Sequence, residues 1–141
     1  MRELTENARE RLAAGSRALD IVEFTVAEME SSGLYVAGRG SAPNSAGHVE
    51  LDASIMDGPV SAAGAVASIR DIVNPISVAR RVMEATPHVM LAGSGALEFA
   101  RAQGSQKESD RLRLGELSKG PRQTRNRERL SLIHISEPTR H

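Results

Sequence analysis

Apolar residues recur at helical spacing in the first third of the chain. Leu19, Val22, Val26 and Met29 follow at steps of three, four and three, the stripe of an amphipathic helix. Ile21, Phe24 and Ala27 widen that stripe, so burial on more than one side is expected. Ser16 suits the N-cap, Asp20 places a negative charge in the first turns, where it complements the helix dipole, and Gly33 stops the element. Upstream, residues 5–13 read as a short charged helix that ends near Gly15.

Beyond Gly38 and Gly40 the period changes to two. Val49, Leu51, Ala53 and Ile55 alternate with His48, Glu50, Asp52 and Ser54, which predicts a strand over 48–57 with one buried face. Asn44-Ser-Ala-Gly47 before it has the composition of a hairpin turn, and Asp57-Gly58-Pro59 turns the chain again. Residues 62–69 are small and apolar on both faces, as expected of a strand covered by other layers. Asn74-Pro75 is a helix start, a cap followed by an N1 proline. Ile76, Ala79, Val82 and Met83 form the inner face, and Thr86-Pro87 ends the helix. A short buried strand over 89–92 and a last helix over 96–103 complete a layered α/β arrangement.

Charge divides the chain. Residues 1–104 carry 9 basic and 13 acidic side chains, whereas residues 105–141 carry 9 and 5 with few large aliphatics. A body over 1–104 and a polar, basic tail over 105–141 follow, with the boundary at Gln103-Gly104-Ser105-Gln106. The whole chain, with 18 basic and 18 acidic residues, is neither a globally basic nucleic-acid binder nor a globally acidic protein. Tyr35, Phe24 and Phe99 are its only aromatic residues, too few for a base-stacking RNA module. With no cysteine there is no disulfide framework or thiolate metal site, and no apolar run approaches the ~20 residues of a membrane span. A small soluble globular chain is expected.

Little chemistry is legible from spacing alone. Gly93-Ser94-Gly95 stands where a dinucleotide loop would open a helix, but Glu98 occupies the place of the third glycine and its carboxylate would repel a pyrophosphate; a tight strand–helix connection is the better reading. His48, Glu50 and Asp52 share one strand face and could hold a divalent metal, although alternation by itself puts polar residues on a solvated face. His88, at the start of a buried strand, reads as a hydrogen-bonded structural histidine. No activated Ser, Thr or Lys with a base can be identified from spacing.

Six segments taken together carry a resemblance. They are Gly15-Ser-Arg-Ala-Leu-Asp20, Leu34-Tyr-Val-Ala-Gly-Arg-Gly40, Val49-Glu-Leu-Asp-Ala-Ser-Ile-Met-Asp-Gly58, Ala63-Gly-Ala-Val66, Asn74-Pro75 and Thr86-Pro-His-Val-Met90. In order and spacing across residues 5–104 the chain resembles the isoaspartyl peptidase/plant-type L-asparaginase family. The resemblance implies an N-terminal-nucleophile hydrolase with an αββα sandwich, of which this chain is a portion of the first subunit, without the nucleophile half. In that family a precursor cleaves itself at a Gly–Thr bond, and the freed threonine attacks the side-chain amide of asparagine or a β-aspartyl peptide linkage. Here Thr5, Thr25, Thr86, Thr124 and Thr139 follow Leu, Phe, Ala, Gln and Pro, so no Gly–Thr junction is present and no catalytic residue is assigned. The family's N-terminal His-Gly-Gly segment has no match either, and a fragment inactive by itself is implied. The partners implied are asparagine or an isoaspartyl peptide and a missing β-subunit, in a heterotetramer when complete, with neither nucleic acid nor membrane, in the cytoplasm. No cofactor is implied beyond a structural sodium ion. By alignment it would be held by the backbone carbonyls of Met29, Glu30, Ser32, Tyr35, Ala37 and Arg39. The family's Phe-Asn-Ala-Gly becomes Tyr35-Val36-Ala37-Gly38, and Val36 cannot donate the side-chain hydrogen bond of an Asn.

The tail departs from this pattern. Residues 130–140 resemble the conceptual translation of a sequencing adapter, which leaves 105–141 as a non-family segment, disordered or artefactual. A second reading of the whole chain is a non-catalytic α/β binding protein whose basic tail contacts nucleic acid.

Overall fold

The computed structural model describes residues 2–105, so the readings of the tail lie outside the described residues. Four helices and three strands follow in the order α1 (Arg2–Ala13), α2 (Ala18–Ser32), β1 (Leu51–Asp57), β2 (Ala62–Ile69), α3 (Pro75–Ala85), β3 (Met90–Ala92) and α4 (Gly93–Ala102), with a 3-10 turn at Gly38–Gly40 between α2 and β1. Within the described residues this is a mixed α+β fold.

The hairpin of β1 and β2 is antiparallel, and β3 joins the far side of β2 in parallel, giving the order β1-β2-β3. Ala53 faces Val66 and Ile55 faces Gly64 across the hairpin, so the apolar positions of both strands share one face. The register shifts between Leu51 and Ala53, where Ser68 takes φ 51° and gives its backbone N–H to Asp52 Oδ1 at 2.7 Å. This bulge absorbs the odd residue and keeps both Val66 and Ile69 in the core. On that face α3 packs against both β1 and β2, α4 against β2 and α2 against α3. Ile69, Val78, Ala79, Val82, Ala96 and Ala100 are wholly buried there. Gly64 permits a close approach of α3 to β2: a Cβ at this position would stand 2.2 Å from the carbonyl oxygen of Ala79.

Among the described residues nothing covers the opposite face. Ala63, Ala65 and Ala67 are half-buried, while Met56 and Met90 are exposed. The small apolar residues predicted to lie between two layers therefore meet one layer in the described residues. For the same reason the strand expected to be buried over 89–92 has an edge position, with Val89 and Met90 exposed and Leu91 alone turned toward the core.

Other local expectations are corrected. Arg17, not Ser16, is the N-cap of α2 and makes no side-chain cap bond; its guanidinium instead pairs with Asp57 at 2.9 Å. Val22 is exposed because the inner face of α2 runs through Leu19, Val26 and Glu30. Asn44 does form a turn, its Oδ1 accepting from Ala46 N and His48 N at 3.0 Å each, but no strand precedes it and the turn belongs to a loop. The N-terminal helix α1 buries no residue, and the Arg11 guanidinium lies 3.8 Å from the Phe24 ring centroid on α2.

Candidate functional site

The loop between α2 and β1 packs closely against the end of α2. Gly33, in the left-handed conformation at φ 70°, ends α2 and turns the chain back along it. Ser32 Oγ donates to the Met29 carbonyl at 2.8 Å and accepts Leu34 N–H at 3.2 Å. The loop then folds so tightly that only glycine fits at two places. A Cβ on Gly38 would lie 2.5 Å from the carbonyl oxygen of Glu30, and one on Gly40 would lie 1.9 Å from that of Tyr35 and 2.9 Å from that of Gly33.

The six residues expected to offer carbonyl oxygens fall on this one segment. Met29, Glu30 and Ser32 are in the last turns of α2, Tyr35 and Ala37 in the bend, and Arg39 in the 3-10 turn. The carbonyls of Glu30 and Tyr35 crowd the glycines. The Met29 carbonyl accepts from Ser32 Oγ, and the Ala37 carbonyl accepts from Gly40 N at 3.1 Å. Oxygen donors of this kind suit a hard cation. No group of three or more His, Cys, Asp or Glu side chains among the described residues could hold a metal, which removes the His48, Glu50 and Asp52 face from consideration.

Beneath the loop is a buried carboxylate. Glu30 is 3% exposed; its Oε1 accepts the Ile76 N–H at 3.3 Å and its Oε2 lies 3.3 Å from Asn74 Nδ2. Burial pushes its carboxyl up to about 7, opposed by the hydrogen bonds from Asn74 and Ile76. Asn74 was expected to cap α3, yet its side chain makes no cap bond. It reaches back to α2 and donates to the Ala27 carbonyl at 2.8 Å and Ser31 Oγ at 3.0 Å. Glu30 supplies the capping acceptor in its place, across 46 residues of sequence. Periodicity carries a signal for this: Glu30 lies eleven residues after Leu19, within about 20° of it around a helix. A carboxylate on the apolar face needs a buried partner.

Glu30, Ala37, Ser41, Glu50, Asp52 and Pro75 line a hollow of about 320 Å³ between the loop and β1. Its acids are engaged. Glu50 accepts from Arg70 and, at 2.9 Å, from Asn44, and these contacts hold its carboxyl below the usual range. Asp52 is tied to the bulge. Val36 stands at the open rim of this hollow and is 86% exposed. Gly93-Ser94-Gly95 forms the opening turn of α4, the tight strand–helix connection expected. His88 is exposed, and its backbone N–H donates to Thr86 Oγ1 at 3.1 Å. No helix among the described residues is long and apolar enough to cross a membrane.

A helix layer on a mixed sheet, with an oxygen-rich glycine loop at the end of α2, defines the class of fold and site. Comparison with known proteins gives the family. The sequence profile of the family described as asparaginase matches residues 1–134, and the chain belongs to that family. It is 50% identical over 93 residues to a probable isoaspartyl peptidase/L-asparaginase 2 of Arabidopsis thaliana, covering 66% of this chain and 29% of the plant protein. A plant-type L-asparaginase of Thermococcus kodakarensis is 50% identical over 105 residues, 70% of this chain and 34% of its own. The isoaspartyl peptidase/L-asparaginase of Rattus norvegicus is 50% identical over 93 residues, 66% and 28%. The chain thus spans about a third of the length of the curated relatives it matches.

Proposed function

We propose that this chain supplies the first, non-nucleophile part of an amide hydrolase that cleaves the side-chain amide of asparagine or the β-aspartyl linkage of isoaspartyl peptides. The observation that carries the reading is the half-identity to relatives named for those two activities. A threonine at the start of a β-subunit makes the attack. Its own α-amine takes the hydroxyl proton, hydrogen-bond donors hold the oxyanion, and water releases the acyl group. The absence of any Gly–Thr dipeptide in these 141 residues supports placing the nucleophile on another part of the assembly, a heterotetramer when complete.

This chain contributes the scaffold and the loop after α2. In this reading the backbone carbonyls of Met29, Glu30, Ser32, Tyr35, Ala37 and Arg39 hold a sodium ion, whose charge gathers the oxygens and fixes the loop. The crowding of the Glu30 and Tyr35 carbonyls onto Gly38 and Gly40 supports it.

The test is ammonia release from asparagine. The chain alone is expected to match a blank, and mixing it with the threonine-starting segment of a relative is expected to raise release above either part. Turnover by the chain alone would overturn the assignment of the nucleophile to another part.

A further inference from the structure

We propose that Asn74 is a positioning residue for the cation loop, clamping the last turns of α2 so that the loop's main-chain oxygens stay in an arrangement able to take a sodium ion. The inference rests on the cation reading above and adds a residue outside the loop, on α3.

Asn74 gives up a local role for a distant one. It stands at the N-cap of α3, where an Asn side chain ordinarily bonds the first-turn amides, and makes no such bond. Its amide nitrogen is instead within hydrogen-bond distance of three acceptors on α2: the Ala27 carbonyl at 2.8 Å, Ser31 Oγ at 3.0 Å and Glu30 Oε2 at 3.3 Å. The other Glu30 oxygen receives the Ile76 N–H, so the clamp grips α2 from two points of α3. Buried Pro75 stands between those points and removes one donor that would compete for the carboxylate.

The clamp reaches the loop through contact. The main-chain carbonyl and Cβ of Glu30 lie so close to Gly38 that a Cβ there would meet them at 2.5 and 2.6 Å. Rotation of the last turn of α2 therefore displaces Gly38, and with it the neighbouring carbonyls of Ala37 and Arg39. Carbonyl dipoles gathered around one point repel each other before an ion arrives, and their arrangement has to be enforced from behind.

The experiment is thermal unfolding of the full chain titrated with sodium chloride against choline chloride at matched ionic strength, with sodium-23 NMR line broadening as a second readout. Wild type is expected to gain stability with sodium at a defined midpoint. Asn74→Ala is expected to raise that midpoint about tenfold or more. Ser31→Ala, which removes one acceptor and spares the amide, is expected to raise it by a smaller factor and serves if Asn74→Ala does not fold. Arg80→Ala cuts another tie between α2 and α3; it is expected to lower the melting temperature in both salts and leave the midpoint unchanged. Wild-type midpoints in both Asn74→Ala and Ser31→Ala would overturn the positioning role while leaving the cation reading in place. A wild-type chain that unfolds identically in the two salts would overturn the cation reading, and this inference with it.

Discussion

Glu30 lies beneath the first turn of α3, its Oε1 accepting the Ile76 N–H at 3.3 Å with the residue only 3% exposed. A carboxylate from one helix thus caps another. Burial pushes the carboxyl up to about 7 in the fold, from an ordinary value of 4.5. The folded state binds this proton more tightly than the unfolded chain, so the contribution is most favourable below about pH 4.5 and is lost as pH rises toward 7. The loss is on the order of 3 kcal/mol. In denaturant titrations of wild type and Glu30→Gln, the stability gap between the two proteins is expected to shift by about that amount between pH 4.5 and 8, in favour of Gln at the higher pH. A gap independent of pH would contradict the burial.

Arg80 joins three carboxylates: Asp20 and Glu23 of α2 at 2.6 Å each, and Glu84 of α3 at 2.8 Å. With the arginine side chain 16% exposed, the network is partly shielded, and the acids hold the guanidinium above its usual range. Arg80→Ala leaves three like charges facing each other and is expected to cost on the order of 2 kcal/mol. The loss should shrink in high salt, as read by urea unfolding with and without added salt.

Glycine substitutions should separate into two groups. Gly38→Ala, Gly40→Ala and Gly64→Ala each drive a Cβ into main-chain atoms at 2.5 Å or less and are expected to destabilise by more than about 2 kcal/mol. Gly95 lies in α4 with nothing within 4 Å of an added Cβ, and Gly95→Ala is expected to stabilise by about 0.5 kcal/mol. Thermal or chemical unfolding of the four variants reads both signs.

On the sheet face that no described residue covers, Met56 and Met90 are exposed, and Val60 and Val89 are exposed close by in the chain. Self-association through apolar surface is the expected consequence for the chain alone. Met56→Glu with Met90→Glu is expected to lower the apparent mass in light scattering at a fixed protein concentration without loss of helix content by circular dichroism.

Much of this architecture was legible from local pattern. The strand over 62–69 has the limits expected, α3 starts at the Asn74-Pro75 signal and stops at Thr86, and the alternation from Val49 to Ile55 marks the face that α3 covers. Each rests on short-range chemistry: a fixed proline φ, a missing N–H or a period of two. Burial was read less well. Val22 and Val89 are as apolar as their neighbours and are exposed, because whether a residue is covered depends on which layer stands opposite it.

The amino-acid order by itself determined the elements, the hairpin and the segments by which the family can be recognised, since these depend on residues near one another or on matching letters. Tertiary structure alone decided that Asn74 would leave its own helix for Ala27 and Ser31 and that Glu30 would cap α3 in its stead. Residues more than forty positions apart acquire a relationship only when the packing of α2 on α3 removes water from between them, and a buried donor or acceptor must then pair with whatever polar group lies within reach.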